Sequence, residues 1–187
     1  MKVAVIGRGN VGGGLARLWE SAGHEVKALG HEGGDVSGSE AILLACPSGG
    51  DRGRAQRRRG IGTTPVIDAT NVFGNPRPEG FNSLAEFVKS QTGGPVAKAF
   101  SANFAALYDR LGEARVPPSM VFAADDDARA VTEQLIRDAG YEPVSAGSLE
   151  NARAVEDFLG VLFAVAQSGT GPFWSASHHP RLSRRRA

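Results

Sequence analysis

Three glycines near the amino terminus follow the spacing Gly-x-Gly-x-x-Gly, in the hexapeptide Gly7-Arg8-Gly9-Asn10-Val11-Gly12. Glycine at the first position permits a tight turn, the second lets the backbone approach an anion closely, and the third lets a helix pack tightly. The amide groups at the start of a helix would then hold the negative charge of a pyrophosphate. The spacing alone is a weak signal, because the same turn can exist without a ligand.

The segments on either side of this hexapeptide strengthen the signal. Residues 2–6 are a short apolar run typical of a buried strand, and Val11, Leu15, Leu18 and Trp19 form one apolar helical stripe. The glycines therefore join a strand to a helix, the context in which the motif predicts dinucleotide binding. The residues predicted to bind the pyrophosphate are Gly7, Gly9, Asn10, Val11 and Gly12.

The residues after the second predicted strand bear on which dinucleotide is bound. Glu32 lies 20 residues after Gly12, near the spacing of the acid that accepts the ribose hydroxyls of NAD. Gly30 and His31 precede it, and His31 could instead contact the 2′-phosphate of NADP. No arginine stands nearby to bind that phosphate. The residues leave both nucleotides open, and both side chains could also be solvated loop residues.

Two further turns follow predicted strands. Cys46-Pro47 follows the third strand and Thr70-Asn71 the fourth. Ligands of open parallel sheets lie beyond the carboxyl ends of the strands, so we expect all four residues to contact the cofactor. Turn capping is the alternative for Thr70 and Asn71. Cys46 is interpreted as a small packed residue rather than a nucleophile.

The fifth predicted strand ends at Lys98, Phe100 and Ser101, which should line the nicotinamide side of the cleft. Lys98 could orient a substrate carbonyl or carboxylate, although a structural role is preferred. No other acid or base is evident as a catalytic group. The three consecutive acids at residues 125–127 are interpreted as the start of a helix, with Asp125 as its cap, and no metal site is predicted.

Seven apolar strand patterns along the chain, mostly alternating with helical ones, predict an α/β fold. The expected architecture is a Rossmann-like, doubly wound, mostly parallel sheet. Two connections around strands two and three look truncated. Residues 30–40 contain four glycines and little apolar character, and residues 51–60 carry no large apolar side chain. Some other part of the chain must then cover that face of the sheet.

Length and composition limit the remaining possibilities. The 187 residues fit one domain over residues 1–174, followed by a flexible basic tail at 175–187. No apolar run is long enough to cross a membrane, and one cysteine suits a reducing compartment, so we expect a cytoplasmic protein without membrane contact. Nine of the 21 basic residues lie in two arginine clusters at 52–59 and 181–186, and the rest of the chain is acidic. We therefore expect no nucleic-acid partner.

The order of several segments resembles a known family. These segments are residues 1–46, Val66-Ile-Asp-Ala-Thr-Asn71, Val96-Ala-Lys-Ala-Phe-Ser101, residues 121–126 and residues 139–153. Together they resemble the NADPH-dependent reductases of the deazaflavin coenzyme F-420 over about residues 1–174. The resemblance implies that NADP(H) binds the glycine turn and that a deazaflavin or flavin is the co-substrate. Hydride would pass directly between the two rings without an obligatory acid or base.

The sequence departs from that family in three places. Gly30-His31 stands where the family has Ser-Arg, and Ser101 where it has asparagine. The family's two helices that flank strand three resemble the shortened residues 30–40 and the arginine-rich residues 51–60. Two other functions remain open. One is a dinucleotide-binding protein without turnover, and the other is a small hydroxyacid dehydrogenase that uses Lys98.

Two apolar surfaces predict a homodimer. One is the sheet face near strands two and three, and the other is the apolar face of the last predicted helix. Monomers rarely leave large apolar patches in water, so a second copy is the expected partner, alongside the small-molecule co-substrate.

Overall fold

The computed structural model describes residues 1–46, 61–72 and 76–167, which form seven strands, four α-helices and two 3₁₀ segments. The strands are β1 (Lys2–Ile6), β2 (Glu25–Leu29), β3 (Ala41–Leu44), β4 (Val66–Asp68), β5 (Val96–Lys98), β6 (Ser119–Ala124) and β7 (Glu142–Ser145). The α-helices are α1 (Asn10–Ser21), α2 (Leu84–Thr92), α3 (Asp126–Asp138) and α4 (Ala152–Gln167). The 3₁₀ segments are Ala105–Glu113 and Leu149–Asn151.

The strands form one sheet in the order β2-β1-β3-β4-β5-β6-β7. Strands β1 to β5 are mutually parallel, and β6 and β7 are parallel to each other. The chain leaves β1 toward β2 and then crosses to β3 on the other side of β1. This reversal between β1 and β3 is the point at which open α/β sheets bind ligands. The predicted α/β, doubly wound, mostly parallel sheet is confirmed.

One strand pair runs in the opposite sense. Strand β6 is antiparallel to β5, with Ala97 opposite Ala124. Residues 99–118 connect the two strands through the first 3₁₀ segment rather than through a crossover helix, so the chain enters β6 from the edge at which it left β5. This pair is the antiparallel part of the mostly parallel sheet.

Helices cover both faces of the sheet. Helices α1 and α3 bury one cluster, in which the Trp19 indole donates a 2.8 Å hydrogen bond to the Leu135 carbonyl and meets the Phe100 ring edge-on. The opposite cluster includes residues of α2 and α4. As expected, residues 30–40 form no helix. Val36 and Ile61 are buried in this second cluster instead, and they help cover β1 and β3 there.

Helix starts agree only in part with expectation. Ser83 caps α2 by accepting a hydrogen bond from the Glu86 amide. Asp125 stands at the cap position of α3, but its side chain does not cap that helix. Its carboxylate instead accepts hydrogen bonds from the Val96 amide at 2.9 Å and from Lys89 at 2.7 Å. The predicted capping role of Asp125 is wrong because β5 and α2 compete for the same carboxylate.

Several sequence predictions fall outside the described residues. They concern Pro47, the two arginine clusters and the segment at 175–187. Within the described part of the chain, no helix has the length and apolar character needed to cross a membrane.

Candidate dinucleotide-binding site

The glycine turn between β1 and α1 is closely packed. Gly7 has φ of +104°, a left-handed conformation that favours glycine, and its amide donates a 3.0 Å hydrogen bond to the Leu29 carbonyl. A Cβ on Gly7 would lie 2.7 Å from the Ala45 carbonyl oxygen. A Cβ on Gly12 would lie only 1.9 Å from the Gly7 carbonyl oxygen, so α1 packs directly on the turn. Both positions require glycine on steric grounds alone.

Gly9 differs from its two neighbours. A Cβ there would meet no described atom within 4 Å, and its φ of −73° is accessible to any residue. Gly9 is the N-cap of α1, and no side chain among the described residues caps this helix. Asn10 and Val11 begin the helix, where backbone amides and the helix dipole attract an anion. The space beside Gly9 therefore fits the approach of a pyrophosphate.

The residues after β2 form a small polar group. The His31 Nδ1 atom lies 3.4 Å from a Glu32 carboxylate oxygen, and both side chains are largely exposed. The same carboxylate lies over Gly30, within 2.2 Å of the place a Cβ would occupy. Cys46, after β3, donates a 3.3 Å hydrogen bond to the Ile6 carbonyl. The two candidates for nucleotide choice, His31 and Glu32, thus stand together at the end of β2.

The residues after β4 are held by the protein itself. Asp68 Oδ1 accepts hydrogen bonds from the Thr70 amide at 2.9 Å and the Thr70 hydroxyl at 2.7 Å. The Asn71 side chain donates through Nδ2 to the Ser101 carbonyl at 3.2 Å. These contacts join the ends of β4 and β5, as the predicted location required. The Thr70 and Asn71 side chains therefore stabilise the loop, which is the turn-capping alternative that the sequence left open.

The end of β5 combines backbone strain with a buried hydroxyl. Phe100 has φ of +60°, the one non-glycine residue with positive φ among those described, although its ring is fully packed in the core. Ser101 follows it, and within the described residues its buried hydroxyl has no hydrogen-bond partner. Strained backbone and an unsatisfied hydroxyl are features that cluster at functional sites.

Lys98 is completely buried, and its ammonium group contacts three oxygen atoms. These are Asp68 Oδ2 at 2.8 Å, Glu156 Oε1 at 3.3 Å and the Thr70 carbonyl oxygen. Three oxygens match the three donors of an ammonium group. This arrangement favours the structural role that the sequence preferred over contact with a substrate.

Sequence reasoning missed two members of this cluster, Glu156 on α4 and Arg77 before α2. Arg77 Nε donates a 3.1 Å hydrogen bond to Glu156, and Arg77 Nη2 donates a hydrogen bond to Asp157. Burial works to lower the pKa of Arg77, but the hydrogen bonds to Asp157 and Glu156 outweigh it and raise that pKa. A signal for Glu156 was present in the sequence, because an acid stands between Ala152 and Leu159 on the apolar stripe of the last helix.

Comparison with known proteins identifies the fold. The sequence matches no protein-family model and no curated protein sequence. A structure from Arthrobacter sp. FB24, described provisionally as an F-420-dependent NADP reductase, superposes with a TM-score of 0.69 at 18% identity, covering 94% of this chain and 97% of that one. A hypothetical protein from Sinorhizobium meliloti gives 0.66 at 22% identity, covering 83% and 89%. The fold is Rossmann-like.

Longer enzymes share the same fold. A reductive aminase from Aspergillus terreus, solved with NADPH, superposes with a TM-score of 0.65 at 11% identity. The superposition covers 91% of this chain and 62% of the reductive aminase. The 3-hydroxyisobutyrate dehydrogenase of Mycobacterium tuberculosis gives 0.61 at 15% identity, with 90% of this chain and 62% of that one covered. This chain therefore spans about three fifths of those two enzymes.

Proposed function

We propose that this protein is an oxidoreductase that binds NADP(H) on the glycine turn and transfers hydride between the nicotinamide and a deazaflavin or flavin. The observation that carries the proposal is the β1–glycine turn–α1 unit at the point where the strand order reverses. The structures with similar folds add support, since several are described as NADP-linked reductases or as dehydrogenases.

The chain's own groups account for binding through the backbone. Amides at the start of α1 would hold the pyrophosphate beside Gly9, where a Cβ would meet no atom of the described residues within 4 Å. Cys46, Thr70 and Asn71 would lie along the dinucleotide at the carboxyl ends of β3 and β4, and Pro47, which follows Cys46 in sequence, stays a candidate for the same role. A bound nicotinamide supplies the hydride donor or acceptor. Because the Phe100 ring is packed in the core, the backbone of the Phe100–Ser101 turn and the Ser101 hydroxyl would orient the nicotinamide for direct transfer, so catalysis rests on proximity.

An activity assay tests the reductase proposal. We expect NADPH absorbance to fall when coenzyme F-420, or failing that FMN, is added to the protein. The control is the same protein with Gly9→Ala, in which bound nucleotide and turnover should fall together. If NADPH binds but neither acceptor is reduced, the protein is a dinucleotide-binding protein without this activity. Failure to bind NADPH or NADH would instead refute the interpretation of the glycine turn.

The choice of NADP(H) over NAD(H) follows the family resemblance, and His31 is the residue that could recognise the 2′-phosphate. An imidazole at the end of β2 can donate to a 2′-phosphate, whereas the neighbouring Glu32 carboxylate would favour the ribose hydroxyls of NAD. Calorimetry with both nucleotides should show that His31→Ala weakens NADPH binding more than NADH binding. Glu32→Gln should weaken NADH binding more than NADPH binding, because it removes an acceptor for the ribose hydroxyls and a negative charge near the 2′-phosphate. Equal losses for both nucleotides in His31→Ala would show that His31 does not recognise the phosphate.

We further propose that the protein is a homodimer formed through α4. Val161 and Val165, one turn apart on the same side of α4, are 55% and 37% exposed, and Phe163 on another side of the helix is 41% exposed, an unusual exposure for large apolar residues. Phe163 also packs edge-on against Phe104, so the apolar surface extends beyond the helix. Sedimentation should show a dimer at micromolar concentration and a monomer for Val161→Lys. A wild-type monomer would contradict the proposal.

A further inference from the structure

A buried charged cluster joins the last helix to the loop after β4. Asp68, Lys98 and Glu156 have fully buried side chains, and Arg77 closes the cluster on its outer side. Two acids and two bases make up the group, so their formal charges cancel. Because the members come from β4, β5, α4 and the segment before α2, the cluster fixes four parts of the chain relative to one another.

Glu156 is the member with the widest set of contacts. Its Oε1 atom accepts the Leu84 amide at 2.8 Å and lies 3.3 Å from Lys98, while its Oε2 atom accepts from Arg77. Leu84 begins α2, where a carboxylate is favoured by the helix dipole. Glu156 therefore holds both the start of α2 and the ammonium of Lys98.

Lys98, which Glu156 holds, in turn fixes the position of Thr70. Its ammonium donates to the Thr70 carbonyl and to Asp68, and Asp68 in turn accepts both the amide and the hydroxyl of Thr70. Every polar group of Thr70 is thus bound within the cluster. Thr70 lies at the carboxyl end of β4, where the proposed dinucleotide would pass.

Stability alone is a poor reason for such a cluster. Burying charges costs solvation energy, and apolar residues of similar volume often stabilise a core equally well or better. What an apolar core cannot supply is a donor that holds one particular carbonyl. The observed contacts therefore point to control of loop geometry.

We propose that Glu156 is a positioning residue for the dinucleotide and acts through Lys98, which fixes the Thr70 loop in its binding geometry. This inference rests on the proposed dinucleotide site. It assigns to a residue of the last helix, outside the nucleotide-binding edge, a role in the affinity of that site.

Three variants separate positioning from general stability. Lys98→Met removes the donor and leaves an excess buried negative charge, and Glu156→Gln leaves an excess positive charge. The double variant restores the charge balance, leaving Asp68 and Arg77, but still lacks the donor to Thr70. We expect NADPH affinity to fall about tenfold or more in Lys98→Met, the loss expected for a buried charged donor. Glu156→Gln should weaken it less, because Asp68 still holds Lys98.

The double variant gives the decisive comparison. We expect its midpoint of thermal unfolding to recover toward that of the wild type, while its NADPH affinity stays as weak as that of Lys98→Met. If affinity recovers together with stability, the cluster is merely structural and the inference is wrong. Wild-type affinity in Lys98→Met would also overturn it.

A partly buried pair outside the charged cluster supplies the matched control. His24 lies 2.8 Å from Asp138, just before β2 and at the end of α3. Asp138→Asn should lower stability without changing NADPH affinity. A parallel loss of affinity in this variant would show that affinity follows stability in general, and would overturn the positioning role.

Hydrogen exchange of the protein without nucleotide distinguishes the two proposals. Lys98→Met should speed amide exchange in residues 66–72, whereas Asp138→Asn should not. If the wild type binds neither nucleotide while this exchange pattern is observed, the proposed function fails but control of the loop stands. If the wild type binds NADPH and the exchange in residues 66–72 is unchanged by Lys98→Met, the positioning role alone fails.

Discussion

The candidate site has two parts that are built differently. The part after β1 is formed by the backbone of the glycine turn, whereas the part after β4 and β5 is held in place by buried charged side chains. Gly7 and Gly12 contribute close backbone packing, and Gly9 contributes the space beside it among the described residues. Thr70, by contrast, takes its position from Asp68 and Lys98. The first arrangement depends on residues close in sequence, and the second depends on the assembled sheet and helices. The two parts should therefore respond differently to substitution.

The largest effect is expected from Gly12→Ala. The new Cβ would lie 1.9 Å from the Gly7 carbonyl oxygen and 3.1 Å from the Ala45 Cβ, both parts of closely packed backbone segments. Overpacking of this kind costs about 1–3 kcal/mol, and we expect the upper end of that range together with loss of NADPH binding. Urea denaturation and calorimetry measure the two effects.

A matched glycine in α4 provides the control for that substitution. A Cβ on Gly160 would meet no described atom within 4 Å, and the position is exposed. Gly160→Ala should therefore raise the free energy of unfolding by roughly 0.5–1 kcal/mol, the usual gain from replacing glycine inside a helix. If Gly12→Ala proves as stable as Gly160→Ala, the described packing of α1 on the turn is wrong.

Gly9→Ala should separate binding from stability. Its Cβ would meet no described atom within 4 Å in an ordinary backbone conformation, so the free energy of unfolding should fall only by the roughly 0.5–1 kcal/mol that alanine costs relative to glycine at an N-cap. The same methyl group would stand where the pyrophosphate is proposed to pass, and we expect NADPH affinity to fall about tenfold. Unchanged affinity would place the pyrophosphate elsewhere.

The contrast between the two parts also explains what the sequence could predict. The glycine turn was recognisable because its strand, turn and helix are consecutive, and because Gly7 and Gly12 have local steric reasons to be glycine. The absence of a helix in residues 30–40 followed from their composition for the same reason. The antiparallel direction of β6 was not predictable, because it depends on the path of residues 99–118 outside any periodic pattern.

The charged cluster shows the other limit. Lys98 in an apolar strand and Glu156 on an apolar helix face are each anomalous in sequence, so a buried pairing of charges could be suspected. Which partners meet depends on the packing of α4 against β5, and local patterns do not encode that packing. Asp125 failed as a predicted cap for a related reason, since Val96 and Lys89 reach its carboxylate from other elements.

The smallest expected effect concerns Asp157, the neighbour of Glu156 on α4. The hydrogen bond from Arg77 holds the pKa of the Asp157 carboxyl below its ordinary value of 3.8. Its side chain is 53% exposed, so water screens the pair and its contribution to stability should stay below about 1 kcal/mol. Asp157→Asn tests the outer side of the cluster, where Glu156→Gln tests the buried side.

The sign of the pH dependence follows from the lowered pKa. A carboxyl with a lower pKa in the folded state stabilises the protein above its unfolded pKa, and this contribution is lost as pH falls through the folded pKa. Urea denaturation should therefore show a small, constant deficit for Asp157→Asn from pH 7 to about 5. The deficit should shrink as pH falls below 3.8. NADPH affinity at pH 7 should be unchanged, because Glu156 and Lys98 keep their contacts. A loss of affinity as large as that in Lys98→Met would extend the positioning role to the surface of α4.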